Sequence, residues 1–191
     1  PRKVTVNKND ELIVLDGSIV KIFNRKYKCL HQLRLSGLPS CIAVDDNNLI
    51  AVGHYNQCDN LCLGLYKPDG SLIRTLPTSG ASDYLTIHKQ QLIYTSGNKL
   101  ESMDYHGRIV FSVDINRSMF AFGLCCDKDG SIYVVAWDSK TSSSGEIQHY
   151  SPDGEYIGFI YEGRIFPDRI TVTPAGDLVM AGTSVKIYYH E

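Results

Sequence analysis

The chain has 191 residues, of which 43% are hydrophobic, and its formal net charge is −2 at pH 7. A chain of this size can bury the core of one globular domain, and no apolar run is long enough to span a bilayer. The slightly acidic balance, with a sequence pI near 6.3, argues against a protein that binds nucleic acid through a general positive charge.

The first segment, residues 1–35, predicts four short strands separated by polar turns. Apolar or alternating residues mark these strands at Val4–Val6, Leu12–Leu15, Ile19–Phe23 and Cys29–Leu33. The segment has eight basic and three acidic residues, a charge of +5, against −7 for the rest of the chain. This excess predicts a basic patch, which either protects an edge strand or contacts the phosphates of RNA. The candidate RNA-binding residues are Arg25, Lys26, Lys28 and Arg34.

Two further segments, 36–78 and 79–118, repeat the pattern. Their first strands are predicted at Pro39–Val44 and Tyr84–Ile87, and their third strands at Cys62–Tyr66 and Lys99–Tyr105. The six histidines of the chain are scattered among turns and strands, without an HExxH motif, a nucleophile elbow or a Gly-rich phosphate loop. The sequence therefore predicts no catalytic residues.

The fourth segment, residues 119–163, shows the unit most completely. The strand Leu124–Cys126 is followed by the turn Asp127–Gly130 and by Ile132–Ala136, a run of β-branched, aromatic and small apolar residues. After a polar loop, the strands Glu146–Tyr150 and Tyr156–Ile160 flank the turn Ser-Pro-Asp-Gly, which places Pro and Gly where a turn favours them. Four strands in an antiparallel meander are predicted.

The fifth segment, residues 164–191, predicts only three strands: Arg169–Thr173, Leu178–Ala181 and Val185–Tyr189. The residues before Val4 are too few to supply the fourth. Either the repeats close into a smaller ring, or open sheet edges need a partner, which includes association of copies of the chain.

The second strand of each segment sets the period. These strands begin at Leu12, Leu49, Leu92, Ile132 and Leu178, at separations of 37, 43, 40 and 46 residues. A period of about 40 with four strands per repeat is typical of β-propeller blades. We therefore predict an all-β fold, a β-propeller of four-stranded antiparallel blades with about five repeats, the last lacking its fourth strand.

Three stretches, CIAVDDNNLIAV, KPDGSLIRTL and GEIQHYSPDGEYIGFI, resemble NHL repeats. Together the repeats are similar to the NHL propeller at the C-terminus of TRIM (tripartite motif) ubiquitin ligases, particularly invertebrate members. The resemblance implies a six-bladed ring, of which this chain would be about one blade short. It also implies a protein-interaction module that recognises the substrate of a TRIM-like E3 ligase, whose catalytic RING would lie upstream, so that this chain is not itself an enzyme. The alternatives are an RNA-binding NHL propeller and, less favoured, a propeller hydrolase or lyase.

A four-stranded meander places its 1–2 and 3–4 turns on one rim, the short-turn rim. Its 2–3 loops and the links between blades lie on the other, the long-loop rim, which we expect to be the binding face. Aromatic and cationic residues in these segments are typical anchors of protein interfaces and would also stack and clamp single-stranded RNA. Some of the aromatic rings could instead pack between blades. The candidate partner-binding residues are His54, Tyr55, Asn56, Arg117, Phe120, Trp137, Lys140 and Arg164.

The six cysteines predict neither disulfides nor a metal site. Cys29, Cys41, Cys125 and Cys126 lie in or beside apolar strands, where a thiol behaves as a small buried hydrophobe. Cys58 and Cys62 are four residues apart, without the paired spacing of a zinc site. We expect no cofactor, no metal and no membrane partner, and reduced thiols favour a cytoplasmic location.

Overall fold

The computed structural model describes residues 3–35, 37–55, 61–78, 84–115, 119–138, 145–163, 167–182 and 184–189. These residues form five antiparallel sheets, four of four strands and a last one of three, and contain no helix. The predicted all-β propeller with an incomplete last blade is confirmed. None of the described segments forms a helix long and apolar enough to cross a membrane.

Each sheet is a simple meander whose first strand is innermost. Blade one contains β1 (Lys3–Val6), β2 (Leu12–Asp16), β3 (Ile19–Phe23) and β4 (Cys29–Arg34). Blade two contains β5 (Pro39–Val44), β6 (Ile50–Tyr55), β7 (Leu61–Tyr66) and β8 (Leu72–Pro77). Blade three contains β9 (Leu85–His88), β10 (Gln91–Ser96), β11 (Lys99–Asp104) and β12 (Ile109–Asp114).

The last two blades complete the described fold. Blade four contains β13 (Met119–Cys126), β14 (Ile132–Asp138), β15 (Gly145–Tyr150) and β16 (Tyr156–Gly163). Blade five contains β17 (Pro167–Val172), β18 (Leu178–Gly182) and β19 (Val185–Tyr188).

Five turns of the short-turn rim share one hydrogen-bonding pattern, which explains their sequences. In blade four, Asp127 Oδ1 accepts hydrogen bonds from the backbone N–H groups of Asp129, Gly130 and Ser131 at 2.8–2.9 Å. Asn7, Asn24, Asp45 and Asp104 accept backbone N–H bonds in the same way at four other turns. A short polar side chain therefore begins these turns because it replaces the hydrogen-bond partners that the reversing backbone loses.

Consecutive blades are joined by apolar faces. We call the face that packs on the preceding blade the upstream face, and the opposite one the downstream face. In every blade, one apolar residue at or near the start of the second strand lies on the upstream face. It pairs with an apolar residue of the third strand. In blades two to five this residue is almost completely buried; the set is Ile50, Leu92, Ile132 and Leu178. Four clusters of such contacts form the core between blades one and five.

The two terminal blades leave one face each uncovered. On the upstream face of blade one, Val4 is 61% exposed and Leu12 is partly exposed, and a groove of about 280 Å³ runs beside Phe23 and Tyr27. On the downstream face of blade five, Val185 is 67% exposed. The innermost strands of consecutive blades contact one another from β1 to β17, but no comparable contact joins β17 to β1 in the part of the chain that the structure describes. The described blades therefore form an open arc with apolar ends.

Three strands of blade four extend further than the sequence pattern predicts, and one of them, β16, ends at Gly163 rather than Ile160. β13 begins at Met119 rather than Leu124, and β14 continues through Trp137 to Asp138, because Phe120 pairs with Trp137 and Met119 with Asp138 across the ladder. Phe120 and Trp137 thus belong to strands at the long-loop rim rather than to the link and loop in which we expected them.

Candidate functional site

The long-loop rim carries exposed aromatic side chains at the ends of its strands. Tyr55, the last residue of β6, is 44% exposed, and Phe120, near the start of β13, is 53% exposed. Trp137 is only partly exposed, and its ring packs edge-on against Phe122 at a centroid distance of 5.4 Å. Tyr55 and Phe120 therefore offer apolar surface to a partner, whereas Trp137 is partly committed to packing.

His54 lies inside blade two and not on the surface. It is 4% exposed, its Nε2 lies 3.3 Å from Cys62 Sγ, and its Nδ1 lies 3.4 Å from the carbonyl oxygen of Val52. Strand alternation turns the imidazole inward while its neighbour Tyr55 faces outward. Burial raises the pKa of the Cys62 thiol, so this pair contains no activated thiolate. We remove His54 from the candidate surface.

The other predicted rim residues, Asn56, Arg117, Lys140 and Arg164, lie outside the described residues. Their assignment to the partner-binding face stays a prediction.

The four candidate RNA-binding cations do not form one patch. Arg25, Lys26 and Lys28 belong to the turn between β3 and β4 on the short-turn rim, whereas Arg34 ends β4 at the long-loop rim. A strand of six residues separates the two groups by about 17 Å. Arg25 also forms an ion pair with Asp10. Contact with a single nucleic-acid strand would have to follow the whole edge of blade one.

A cavity opens at the inner end of the long-loop rim, where the first strands converge. It has a volume of about 380 Å³, and we call it the channel mouth. The described residues that line it include two cations and one tyrosine among apolar and thiol side chains; they are Lys3, Val4, Cys41, Ile42, Tyr84, Leu85, Leu124 and Arg169. Each of the five blades thus contributes to the cavity through its innermost strand.

Lys3, Tyr84 and Arg169 form the polar centre of the channel mouth. The ammonium group of Lys3 lies 4.9 Å from the centroid of the Tyr84 ring, and the guanidinium carbon of Arg169 lies 5.3 Å from it. Arg169 Nη1 also donates a hydrogen bond of 3.1 Å to Tyr84 Oη. Cation–π attraction and this hydrogen bond hold two positive charges against one aromatic ring.

Sequence reasoning missed these three residues, although the repeats contain the signal. In each blade one inner-strand residue lies opposite the second-strand position three residues after Leu12, Ile50, Leu92, Ile132 or Leu178, and we call its place the ring position; the five are Lys3, Cys41, Tyr84, Gly123 and Arg169. Gly123 suits its place because a Cβ there would lie 3.2 Å from both Ile170 and Val135. Alignment of the repeats by register, rather than by turns, would have placed Lys3, Tyr84 and Arg169 together.

A second cavity of about 380 Å³ lies on the short-turn rim, between the first turns of blades four and five. Its most prominent carboxylate, Asp127, is already engaged: Oδ1 holds the turn and Oδ2 accepts a hydrogen bond of 3.1 Å from Tyr133. The groove is therefore explained by the structure of the turns. Within the described ranges, no three His, Cys, Asp or Glu side chains are grouped so that they could hold a metal ion.

Comparisons with solved structures show the propeller fold. The chain superposes on the WD40 domain of Neurospora crassa Pan2 with a TM-score of 0.68 at 11% identity, covering 100% of this chain and 65% of that one. The β-propeller domain of Myceliophteria thermophila Cps50 (Swd1) gives 0.68 at 12% identity, with 96% and 64% covered. Virginiamycin B lyase from Staphylococcus aureus, in a catalytically inactive form with quinupristin, gives 0.71 at 17% identity, with 97% and 68% covered.

The chain therefore spans about two thirds of the length of these propellers, which include a lyase as well as a WD40 domain. Identities this low show a shared fold and leave function to be argued from the site. No family model matches the chain, and no curated protein matches it.

Proposed function

We propose that this propeller is a protein-recognition module whose binding face is the long-loop rim. The observation that carries the proposal is the combination of exposed aromatic rings, Tyr55 and Phe120, with the cationic channel mouth on the same rim. Aromatic and arginine side chains supply most of the energy at protein interfaces, because they bury large areas and make directed polar contacts. The rigid strands that carry them reduce the entropy lost on binding.

The resemblance of the repeats to NHL propellers supports a more specific role. In that role the chain recognises the substrate of a TRIM-like ubiquitin ligase, and a RING elsewhere in the protein transfers ubiquitin. Binding of RNA by the same rim is the competing function. It would draw on Arg34 and on the channel-mouth cations Lys3 and Arg169, since Arg25, Lys26 and Lys28 lie on the opposite rim.

A matched pair of phenylalanines tests the binding face. Phe120 and Phe159 belong to the same blade and are 53% and 57% exposed, but Phe120 lies at the long-loop rim and Phe159 in the outermost strand β16. A partner is first identified by affinity capture and then purified. We expect Phe120→Ala to weaken its binding at least tenfold and Phe159→Ala to leave the Kd unchanged, with the same thermal unfolding for both. A greater loss with Phe159→Ala would place the binding face on the outer edge instead.

The open arc supports a further element of this proposal, association of the chain with itself. Inside the molecule, the apolar downstream face of each blade packs on the apolar upstream face of the next. The downstream face of blade five and the upstream face of blade one have the same alternation of apolar side chains but are uncovered. A head-to-tail contact would bury Val4 and Val185. In analytical ultracentrifugation, Val4→Lys and Val185→Lys should each prevent association, while a mixture of the two should form a heterodimer. A chain that is monomeric at every concentration would refute this element and leave the recognition face untouched.

A further inference from the structure

The ligand that the channel mouth takes can be derived from its lining, on the basis of the proposed recognition function. The two cations approach the cavity from the inner strands of blades one and five, and the Tyr84 ring lies between them from blade three. A ligand group placed in the channel mouth therefore lies within reach of both cationic side chains.

The walls of the channel mouth are apolar. Val4, Ile42, Leu85 and Leu124 surround the polar centre, and the last three are among the core residues of the blades. These apolar side chains can contact an apolar part of a ligand while its anionic group meets the cations. The site thus favours a compact anion that is attached to an apolar or neutral chain, rather than a fully hydrated ion.

The geometry of the cations is compatible with a planar anion. Arg169 is oriented by its hydrogen bond to Tyr84 Oη, and a guanidinium group can present paired N–H donors to a carboxylate. The ammonium group of Lys3 lies on the same ring and adds a second charge. Because the ring fixes both groups before a ligand arrives, less side-chain entropy is lost when it binds.

We propose that the channel mouth binds a carboxylate of an acidic peptide segment in the protein partner, with Arg169 and Lys3 as the anion-binding residues and Tyr84 as the positioning residue. A cavity of about 380 Å³ accommodates one Asp or Glu side chain with its backbone. A nucleic-acid strand is disfavoured because it carries a charge at every nucleotide and needs a row of cations. The cations of the β3–β4 turn do not continue the channel mouth, since they lie on the short-turn rim.

The test begins with an unbiased peptide display library selected on the complete chain. We expect selected peptides to be enriched in Asp or Glu beside an apolar residue. Their affinity, measured by fluorescence anisotropy, should fall at least tenfold in Arg169→Gln and in Lys3→Gln, and should decrease as salt is raised. Tyr84→Phe removes the phenolic oxygen that orients Arg169 but keeps the ring, and should weaken binding by a smaller factor.

The control variant is Lys186→Gln. Its ammonium group lies 5.2 Å from the centroid of the Tyr161 ring, so it loses a similar cation–π contact away from the channel mouth. Equal losses in Lys186→Gln and Lys3→Gln would show that stability and not anion binding is measured, and would overturn the assignment.

Other outcomes separate this inference from the proposed function. Peptides that bind but carry no acidic residue, or that are insensitive to Arg169→Gln, would overturn the carboxylate site while protein recognition stands. Submicromolar binding of a single-stranded RNA that is lost in Arg169→Gln would replace the peptide by a phosphate ligand. If no peptide is selected although a protein partner is captured through Phe120, the channel mouth is not the recognition site. If neither peptide nor protein partner binds, the recognition function falls as well.

Discussion

Three leucines at one register position measure how well each upstream face is covered. Leu92, Leu178 and Leu12 lie near the start of the second strand in blades three, five and one, and each pairs with the third strand at the equivalent place. Leu92 is 0% exposed and Leu178 is 5% exposed, whereas Leu12 faces the open groove of blade one. Leucine to alanine substitution at the three sites therefore changes the same chemistry in three degrees of burial.

The expected magnitudes follow from that burial. Removing a fully buried leucine side chain costs about 3–4 kcal/mol, because both its transfer energy and the packing around the cavity are lost. We expect about this loss for Leu92→Ala, a slightly smaller one for Leu178→Ala, and about 1 kcal/mol for Leu12→Ala, whose side chain keeps part of its contact with water in the folded state.

Urea unfolding measures the three differences. Far-UV circular dichroism follows the sheets, and the fluorescence of Trp137, the only tryptophan, follows blade four; coincident curves justify a single free energy of unfolding. If Leu12→Ala costs as much as Leu92→Ala, the upstream face of blade one is covered in solution and the reasoning from an open arc is refuted. A concentration-dependent midpoint in that case would identify a second copy as the cover.

Three further predictions concern the turns and the thiols. Gly107→Ala should destabilise the protein by about 1 kcal/mol, since φ is +88° there, whereas Gly158→Ala, with open space and no positive φ, should be near neutral by thermal unfolding. Hydrogen bonds from the backbone N–H and from the side chain of Arg108 lower the pKa of Asp104 to about 2. The Asp104 carboxylate stabilises the fold at pH values above its unfolded-state pKa of about 4. That contribution is lost as the pH falls through the folded-state pKa. Asp104→Asn should therefore flatten the decline of stability between about pH 4 and 2. Burial raises the pKa of Cys126 to about 12 and that of Cys125 well above its usual value. When the native protein is treated with a thiol-alkylating reagent at about pH 8, mass spectrometry should therefore find Cys29 labelled before Cys125 and Cys126. Equal labelling rates for the three thiols would contradict this burial.

The sequence predicted the blades well because the signals that define them are local. A polar residue that begins a turn, such as Asp127, bonds backbone groups only two to four residues away, and the apolar second strand follows directly. These contacts need no knowledge of the rest of the chain, and they recur at a nearly constant period. Both the propeller architecture and the three-stranded last blade followed from that regularity.

Features that depend on a distant partner were not predictable in this way. The extension of β13 to Met119 depends on pairing with the far end of β14, and the contact of His54 with the Cys62 thiol depends on the register between β6 and β7. Pairing across a ladder decides each case, and a single-sequence pattern contains no information about which strand ends meet.

Polar residues have different roles on the two rims, and this difference indicates where substitutions can change ligand binding without unfolding a blade. On the short-turn rim, carboxylates such as Asp45 and Asp104 each hold at least two backbone N–H groups, so a substitution there disturbs the turn before it alters any surface. At the ring position of the inner strands, by contrast, residues as different as Lys3, Tyr84 and Gly123 occupy equivalent places in one ladder pattern. Because strand pairing uses the backbone and not these side chains, their chemistry can change without loss of the blade. Ligand specificity should therefore follow the inner-strand positions at the long-loop rim, while the sequences of the turns follow stability.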